Sequence, residues 1–200
     1  MATIGLSKPY YAKYNYDALT GKVTYSDGGL MGKLIEMTVE PEATDDSNLY
    51  ADNGIAESER AFVGGNVTIT TDHLTQEVSK AILGVTETTE TVEGIDEEIK
   101  VLDFDDDMEQ PELGFGDIIK TKKDGVLIWR AVILCRIKFS IPAENATTQG
   151  ESIEWQTPEL NGTLMKSEAG KHPWKRVVDF KSEENAEKYI KHYLNIPAGV

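Results

Sequence analysis

Few residues in this chain of 200 are of a type and spacing that supports catalysis. The histidines, His73, His172 and His192, lie far apart, and none has a second ligand at the spacing of a metal site. Cys135 falls in a continuous apolar segment, so we expect a buried, inert thiol rather than a nucleophile. The segment 114–116 lacks the third glycine of a dinucleotide-binding loop. The sequence therefore predicts no catalytic residue, no cofactor and no enzyme activity.

Carboxylates are abundant, but their spacing does not form a metal-binding motif. Asp103, Asp105 and Asp107 match the first three ligand positions of a calcium loop. Met108 then stands where such a loop needs glycine, and Gly114 stands where it needs a bidentate glutamate. We therefore predict no metal site. No other pair of carboxylates has a spacing that indicates acid–base catalysis.

The charge distribution excludes two classes of partner. The net charge is −15, and residues 36–117 alone carry −20, between two mildly basic ends. Such a chain does not provide the basic surface that nucleic acids or anionic membranes require. The densest acidic stretch, 87–117, holds 13 acids and one lysine. It is either a solvated loop or hairpin, or a surface whose negative field repels a polyanion.

No apolar run is long enough for a membrane span, and the first residues lack the apolar core of a signal peptide. We therefore expect a soluble protein that is made in the cytoplasm.

The elements that would position any site are mainly strands, because apolar residues recur at every second position. We predict nine to eleven strands. Helical spacing appears twice, over about 74–83 and about 183–194. Asp72 is the predicted N-cap of the first helix and Gly84 its end, and Ser182 is the predicted N-cap of the second. The predicted fold is mostly β, an antiparallel β-sandwich or barrel with one helix packed on it, a C-terminal helix, and long hairpins or arms.

The segment 126–139 is the most informative strand. Its odd positions from Leu127 to Phe139 are all apolar, and the middle of its other face is apolar too. Both faces therefore need cover. A further strand is predicted through Trp155, and we expect Trp129 and Trp155 to face the core.

The chain is predicted to form a single domain, 1–200, with three extensions. They are an N-terminal arm at about 1–8, a long hairpin at about 36–62 and the acidic segment at about 85–117. The hairpin is indicated by Asp52-Asn53-Gly54, since Asn-Gly tolerates the positive φ of a tight turn. It contains eight acids and no lysine or arginine between Glu36 and Glu59.

Four blocks of sequence, in the same order along most of the chain, resemble a known family. They are MATIGL at 1–6 followed by YYA at 10–12, LYADNG at 49–54, RIKFSIPA at 136–143 and TQGESIEWQTP at 148–158. These blocks resemble those of phage major tail proteins. That family comprises the tail-tube subunits of the long, non-contractile tails of phages that infect Gram-positive bacteria.

The resemblance implies a β-sandwich or barrel with a flanking helix, similar to the tube proteins of contractile tails and of type VI secretion. Such subunits form hexameric rings that stack into a hollow tube, and the DNA genome passes through it into the host without specific binding. The implied partners are other copies of the chain and, in the tail, a tape-measure protein, a tail terminator and a distal tail protein. The implied location is the virion, after assembly in the host cytoplasm, with no membrane partner.

The resemblance also assigns candidate site residues. Hairpins and terminal arms are typical of contacts in such tubes, so the candidate interface residues are Leu49, Tyr50, Asp52, Asn53, Gly54, Ile4 and Leu6. The candidates for an acidic lumen, or for an acidic outer surface, are Asp103, Asp105, Asp106 and Asp107. No catalytic residue is implied. The alternative function is a carbohydrate-binding β-sandwich of the kind found in receptor-binding proteins, which exposed aromatic side chains on one face would favour.

Overall fold

The structure is a computed structural model that describes residues 2–45, 47–51, 54–148 and 155–199, with the backbone alone described at 47–51 and 54–59. Within these ranges the chain forms twelve strands and two helices. The strands are β1 (Ala2–Asp17), β2 (Lys22–Leu30), β3 (Leu34–Ala43), β4 (Ser47–Ala51), β5 (Gly54–Glu59), β6 (Phe62–Thr71), β7 (Thr86–Glu90), β8 (Ile99–Asp103), β9 (Leu113–Lys123), β10 (Val126–Phe139), β11 (Glu159–Leu164) and β12 (Lys175–Phe180). The helices are α1 (Gln76–Leu83) and α2 (Glu183–Tyr193).

Eight of these strands form one sheet in which every pairing is antiparallel. The order is β2-β1-β9-β10-β11-β6-β3, and β12 also pairs with β10. Strand β10 pairs with β9 along one edge, and with β12 and then β11 along the other. The remaining strands form two separate hairpins, β4–β5 and β7–β8. These features confirm the predicted fold class, a mostly antiparallel β-sandwich with helices.

The main sheet buries apolar residues on both faces, in two clusters. The first lies under α1, and it joins Val78, Ile82 and Leu83 of that helix to Phe115, Leu134 and Phe139 of the sheet. The second lies under α2, and it joins Ala186, Ile190 and Leu194 to Tyr10, Ile118 and Ile133. Each helix therefore covers one face, which is why β9 and β10 are apolar in both directions.

A β-bulge in β10 changes which of the two clusters its odd-numbered side chains join. Leu134 is paired with Phe115 and Ile137 with Leu113, so three steps along β10 match two steps along β9. The extra residue moves the odd-numbered side chains of β10 from one face of the sheet to the other. Trp129 packs against the α2 cluster, whereas Ile137 on the same predicted face belongs to the α1 cluster. The expectation of one unbroken apolar face is therefore wrong, although both faces are covered.

The two helices form where the spacing predicts them, with one correction to their caps. Ser182 caps α2 as expected, because its side chain accepts a hydrogen bond from the Asn185 amide. The N-cap of α1 is Thr75 rather than Asp72. Asp72 instead accepts a hydrogen bond from the Lys33 backbone at 2.8 Å, which ties the start of this segment to the loop before β3.

Another difference concerns the predicted strand through Trp155. Residues 155–158 are not in a strand, and β11 begins at Glu159. The side chain of Trp155 is 86% exposed, so the expectation that it faces the core is wrong. Trp129, by contrast, is partly buried against the α2 cluster, as expected.

Candidate functional site

The most prominent extension is a two-part hairpin formed by β3 to β6. Strands β3 and β6 belong to the main sheet, while β4 and β5 pair only with each other. Two hydrogen bonds join the parts. The Thr44 amide donates to the Ala61 carbonyl at 2.8 Å, and the Ala61 amide donates to the Thr44 hydroxyl at 3.0 Å. We call the β4–β5 ribbon, residues 47–59, the acidic arm. An isolated two-stranded ribbon is at best marginally stable in water, so the acidic arm has the form of a segment that needs a partner.

The predicted interface residues of the hairpin are placed in part. Leu49 and Tyr50 lie in β4, and Gly54 begins β5. Strand pairing runs from Ser47–Glu59 to Ala51–Gly54, with an irregularity after Leu49. Asp52 and Asn53, which carry the turn prediction, lie outside the described residues.

The other predicted interface residues, Ile4 and Leu6, lie in a different sheet from the arm. Residues 2–7, predicted as part of an N-terminal arm, form the first half of β1 and pair with β9 between Lys122 and Ile118. Leu6 is half-buried. Ile4 sits at a break in the register and is 53% exposed. The structure thus places the two sets of candidates on separate sheets of one subunit.

The four acidic candidates lie at the end of the β7–β8 hairpin and in the turn after it. Asp103 is half-buried and accepts a hydrogen bond from the Thr88 hydroxyl at 2.7 Å. Asp105, Asp106 and Asp107 are exposed, and the Asp105 carboxylate accepts the Asp107 amide at 3.0 Å. Three of the four carboxylates therefore face solvent in the single subunit, where they make the surrounding electrostatic potential more negative.

A buried carboxyl group, Asp117, was missed by the sequence reasoning. It lies in β9 opposite Val132, it is fully buried, and neither side-chain oxygen has a hydrogen-bond partner. Burial raises the pKa of Asp117 to about 8, although the charge of Lys175 acts in the opposite direction. The signal was present in the sequence, because this aspartate interrupts an otherwise apolar run, 113–119.

Two groups of ionic contacts hold the scaffold together. Arg136 in β10 makes a bidentate pair with Glu112, at 2.7 and 2.8 Å, and also contacts Glu168 at 2.8 Å. It thereby fixes the segments that precede β9 and follow β11. Lys8 and Tyr10 of β1 both contact Glu187 of α2. Burial alone would raise the pKa of Glu187, but these bonds outweigh it and lower the pKa to about 2.

A groove of about 650 Å³ lies beside α1. Its lining includes Asp72, His73, Asn145 and Gln156, together with the 53%-exposed Phe104. The exposed Trp155 directly precedes Gln156. The lining mixes these polar side chains with apolar ones such as Leu74 and Ile141.

The side chains of His73 and His172 contact neighbouring groups of the fold, and Cys135 is enclosed in the core. His73 contacts Asp72 at 2.9 Å, and the His172 ring contacts the Ser167 carbonyl at 3.0 Å. Cys135 is fully buried, which raises the pKa of its thiol. In the described ranges, no group of three or more histidine, cysteine or acidic side chains is arranged to hold a metal ion. No helix within them is long and apolar enough to cross a membrane.

Comparison with known proteins gives no relative: no protein-family model matches the chain, and no curated protein matches it significantly.

Proposed function

We propose that the protein is a structural virion subunit that forms hexameric rings, stacked into the tube of a long phage tail that conducts the DNA genome into the host. The four sequence blocks described above are the starting point. The mostly antiparallel β fold with two flanking helices is compatible with the subunits of such tubes.

The observation that carries the proposal is the acidic arm. Strands β4 and β5 pair with each other alone, so the arm has no second layer of its own sheet to pack on. In addition, β2 and β3 end the order of the main sheet, and each has one edge without a strand partner in the described part of the chain. Exposed strand edges favour association unless they are covered. Assembly would cover both features.

The proposed mechanism is passive. Each phosphate that a protein neutralises adds affinity for DNA, so a tube that conducts DNA must avoid concentrated positive charge on its bore. A net charge of −15 per subunit favours a bore of this kind. Like charges repel across a Debye length of ~8–10 Å, which keeps DNA from adhering to a negative wall.

The proposal is tested by removing residues 44–57. Strand β3 ends at Ala43 and strand β6 begins at Phe62, so the deletion leaves both strands of the main sheet intact. We therefore expect a folded monomer that no longer forms tubes by negative-stain electron microscopy. A matched control shortens the turn of the other acidic hairpin, between Glu90 and Ile99, and should leave tubes intact. Tubes that persist without residues 44–57 would contradict the role of the arm.

A second candidate, a carbohydrate-binding β-sandwich, is favoured by one observation. Trp155 is 86% exposed and directly precedes Gln156, which lines the groove beside α1 together with Asn145. Aromatic faces and planar amides are side chains that suit sugar rings and their hydroxyls. Glycan-array binding that is lost in Trp155→Ala would support this function, and an array without signal would oppose it.

A further inference from the structure

One end of the main sheet combines exposed apolar side chains with unpaired lysines. We define the basic end as residues 2–4 of β1 together with 120–127, the turn from β9 to β10. The register brings these segments side by side, since Lys122 pairs with Ala2 on one side and Leu127 on the other. Ile4 is 53% exposed, Val126 63% and Leu127 36%. Leu127 shares a face with Lys122 and Ala2, whereas Val126 and Lys123 lie on the opposite face, so the basic end presents apolar and lysine side chains on both faces of the turn from β9 to β10.

The charge of this end is opposite to that of the chain as a whole. Lys122 and Lys123 are exposed, and neither forms an ion pair within the described ranges. Lys120 is half-buried, with its ammonium 5.8 Å from the centre of the Trp129 ring. Asp124 is the sole acid between Ile118 and Ile128, so this stretch carries a net charge of +2 in a chain of −15.

The acidic arm is complementary to this surface. The arm has three acids, Asp52, Glu57 and Glu59, and no lysine or arginine, and it includes apolar Leu49, Tyr50 and Ile55. Opposite charges across an interface steer association and set the register of the contact. The arm and the basic end belong to separate sheets of one subunit. The strands of the arm pair with neither β1, β9 nor β10 of the same subunit, and a second copy of the chain offers each surface its complement.

We propose that the acidic arm of one subunit docks on the basic end of a neighbouring subunit. The inference rests on the proposed tube function and names the surface that receives the arm. Docking at the turn from β9 to β10 covers exposed apolar side chains of the basic end and brings its lysines close to carboxylates of the arm. It also removes these lysines from any path of DNA, which agrees with a conduit that does not hold its cargo.

A charge swap between the two surfaces tests the contact. The first variant carries Lys122→Glu and Lys123→Glu, the second Glu57→Lys and Glu59→Lys, and the third carries all four changes. Each double variant should raise the protein concentration needed for assembly about tenfold, because the contact then places like charges together. The four-fold variant should return to within about threefold of the wild type, because the pairs are restored in reverse.

The matched control reverses Lys166 and Lys171, which are exposed lysines outside the basic end. It should assemble like the wild type. Light scattering and negative-stain microscopy give the threshold, and circular dichroism confirms that each variant is folded. High salt should raise the protein concentration at which the wild type assembles, because salt screens the charge pairs. A contact that is mainly apolar would respond less to salt.

The outcomes separate this inference from the proposed function. If wild-type tubes form and the Lys122/Lys123 reversal assembles like the control, the docking is wrong while the tube function stands. If that reversal leaves assembly unchanged and abolishes a DNA gel shift, the basic end is a nucleic-acid surface and the docking is again wrong. If the wild type forms neither rings nor tubes, both proposals fail. Failure of the four-fold variant to recover also contradicts direct pairing of the two surfaces.

Discussion

Asp117 shows how one side chain changes the response of the whole fold to pH. Its carboxyl is fully buried and has no hydrogen-bond partner, and its strand neighbour across the sheet is apolar Val132. The neutral acid is tolerated in such surroundings, whereas the carboxylate is not. The folded protein therefore retains a proton at neutral pH that the unfolded chain releases.

The first prediction concerns stability against pH. The folded pKa of about 8 lies above the ordinary value of 3.8, so the stabilising effect of the proton is full below about pH 4 and is lost as pH rises to about 8. A difference of about four pKa units corresponds to roughly 5 kcal/mol as an upper bound. About three of these units, or roughly 4 kcal/mol, fall between about pH 5 and about pH 8. Asp117→Asn should remove this part of the loss in the free energy of unfolding, measured with denaturant at about pH 5 and about pH 9.

The control for this prediction is Asp105→Asn, which changes an exposed carboxylate and should keep the wild-type pH dependence. An Asp117→Asn protein that loses as much stability as the wild type between the two pH values would contradict the assignment. Measurements belong on the unassembled protein, because association adds its own stabilisation.

At the scale of the elements, local signals predicted the helices better than the strand details. Ser182 and Gly84 act within one turn of their helices, so the chain sequence alone was enough to place them. The bulge in β10 depends on its register with β9 and β11, which the residues of β10 do not specify alone. The same holds for Trp155, whose alternating neighbours resemble a strand although no strand includes it. Register is a property of the sheet, and a single segment does not encode it.

Gly84 provides a prediction at this scale. It ends α1 with a φ of 71°, and a Cβ there would collide with the Glu109 carbonyl. Gly84→Ala should therefore lower the free energy of unfolding by about 2–4 kcal/mol, from the left-handed backbone and the collision together. Gly94→Ala is the matched control, because Gly94 has a φ of 90° but open space around it. It should cost about 1–2 kcal/mol, and equal losses in both variants would show that the collision is absent.

At the scale of the whole molecule, the charge partition and the fold class were both readable from the sequence. Alternating apolar positions gave the antiparallel sandwich, and composition gave the acidic middle of the chain. The arrangement of that acidity was not readable, since it depends on which segments leave the sheet. Ten of the 23 acids of residues 36–117 fall within the two hairpins outside the main sheet, β4–β5 and β7–β8, and the others lie in β3, α1, β9 and the connecting segments. The basic end was missed for the same reason, because it combines β1 with a turn more than a hundred residues later.

The exposed acids after β8 give a prediction about transport. Asp105, Asp106 and Asp107 face solvent, so reversing all three to lysine should leave folding and tube formation intact. If these positions line the bore, DNA ejection from particles that carry the variant slows, because new phosphate contacts form. If they lie on the outer surface, ejection is unchanged. The triple asparagine variant separates added positive charge from lost negative charge. Loss of tubes in the lysine variant would instead place these acids in a subunit contact.

The central claim, self-assembly into a tube, is tested most directly by negative-stain electron microscopy of the concentrated wild-type protein. The acidic arm, the unpaired strand edges and the basic end all predict rings or hollow tubes of uniform diameter. Those assemblies should fall apart when residues 44–57 are removed. A wild-type protein that remains strictly monomeric at high concentration would contradict the account.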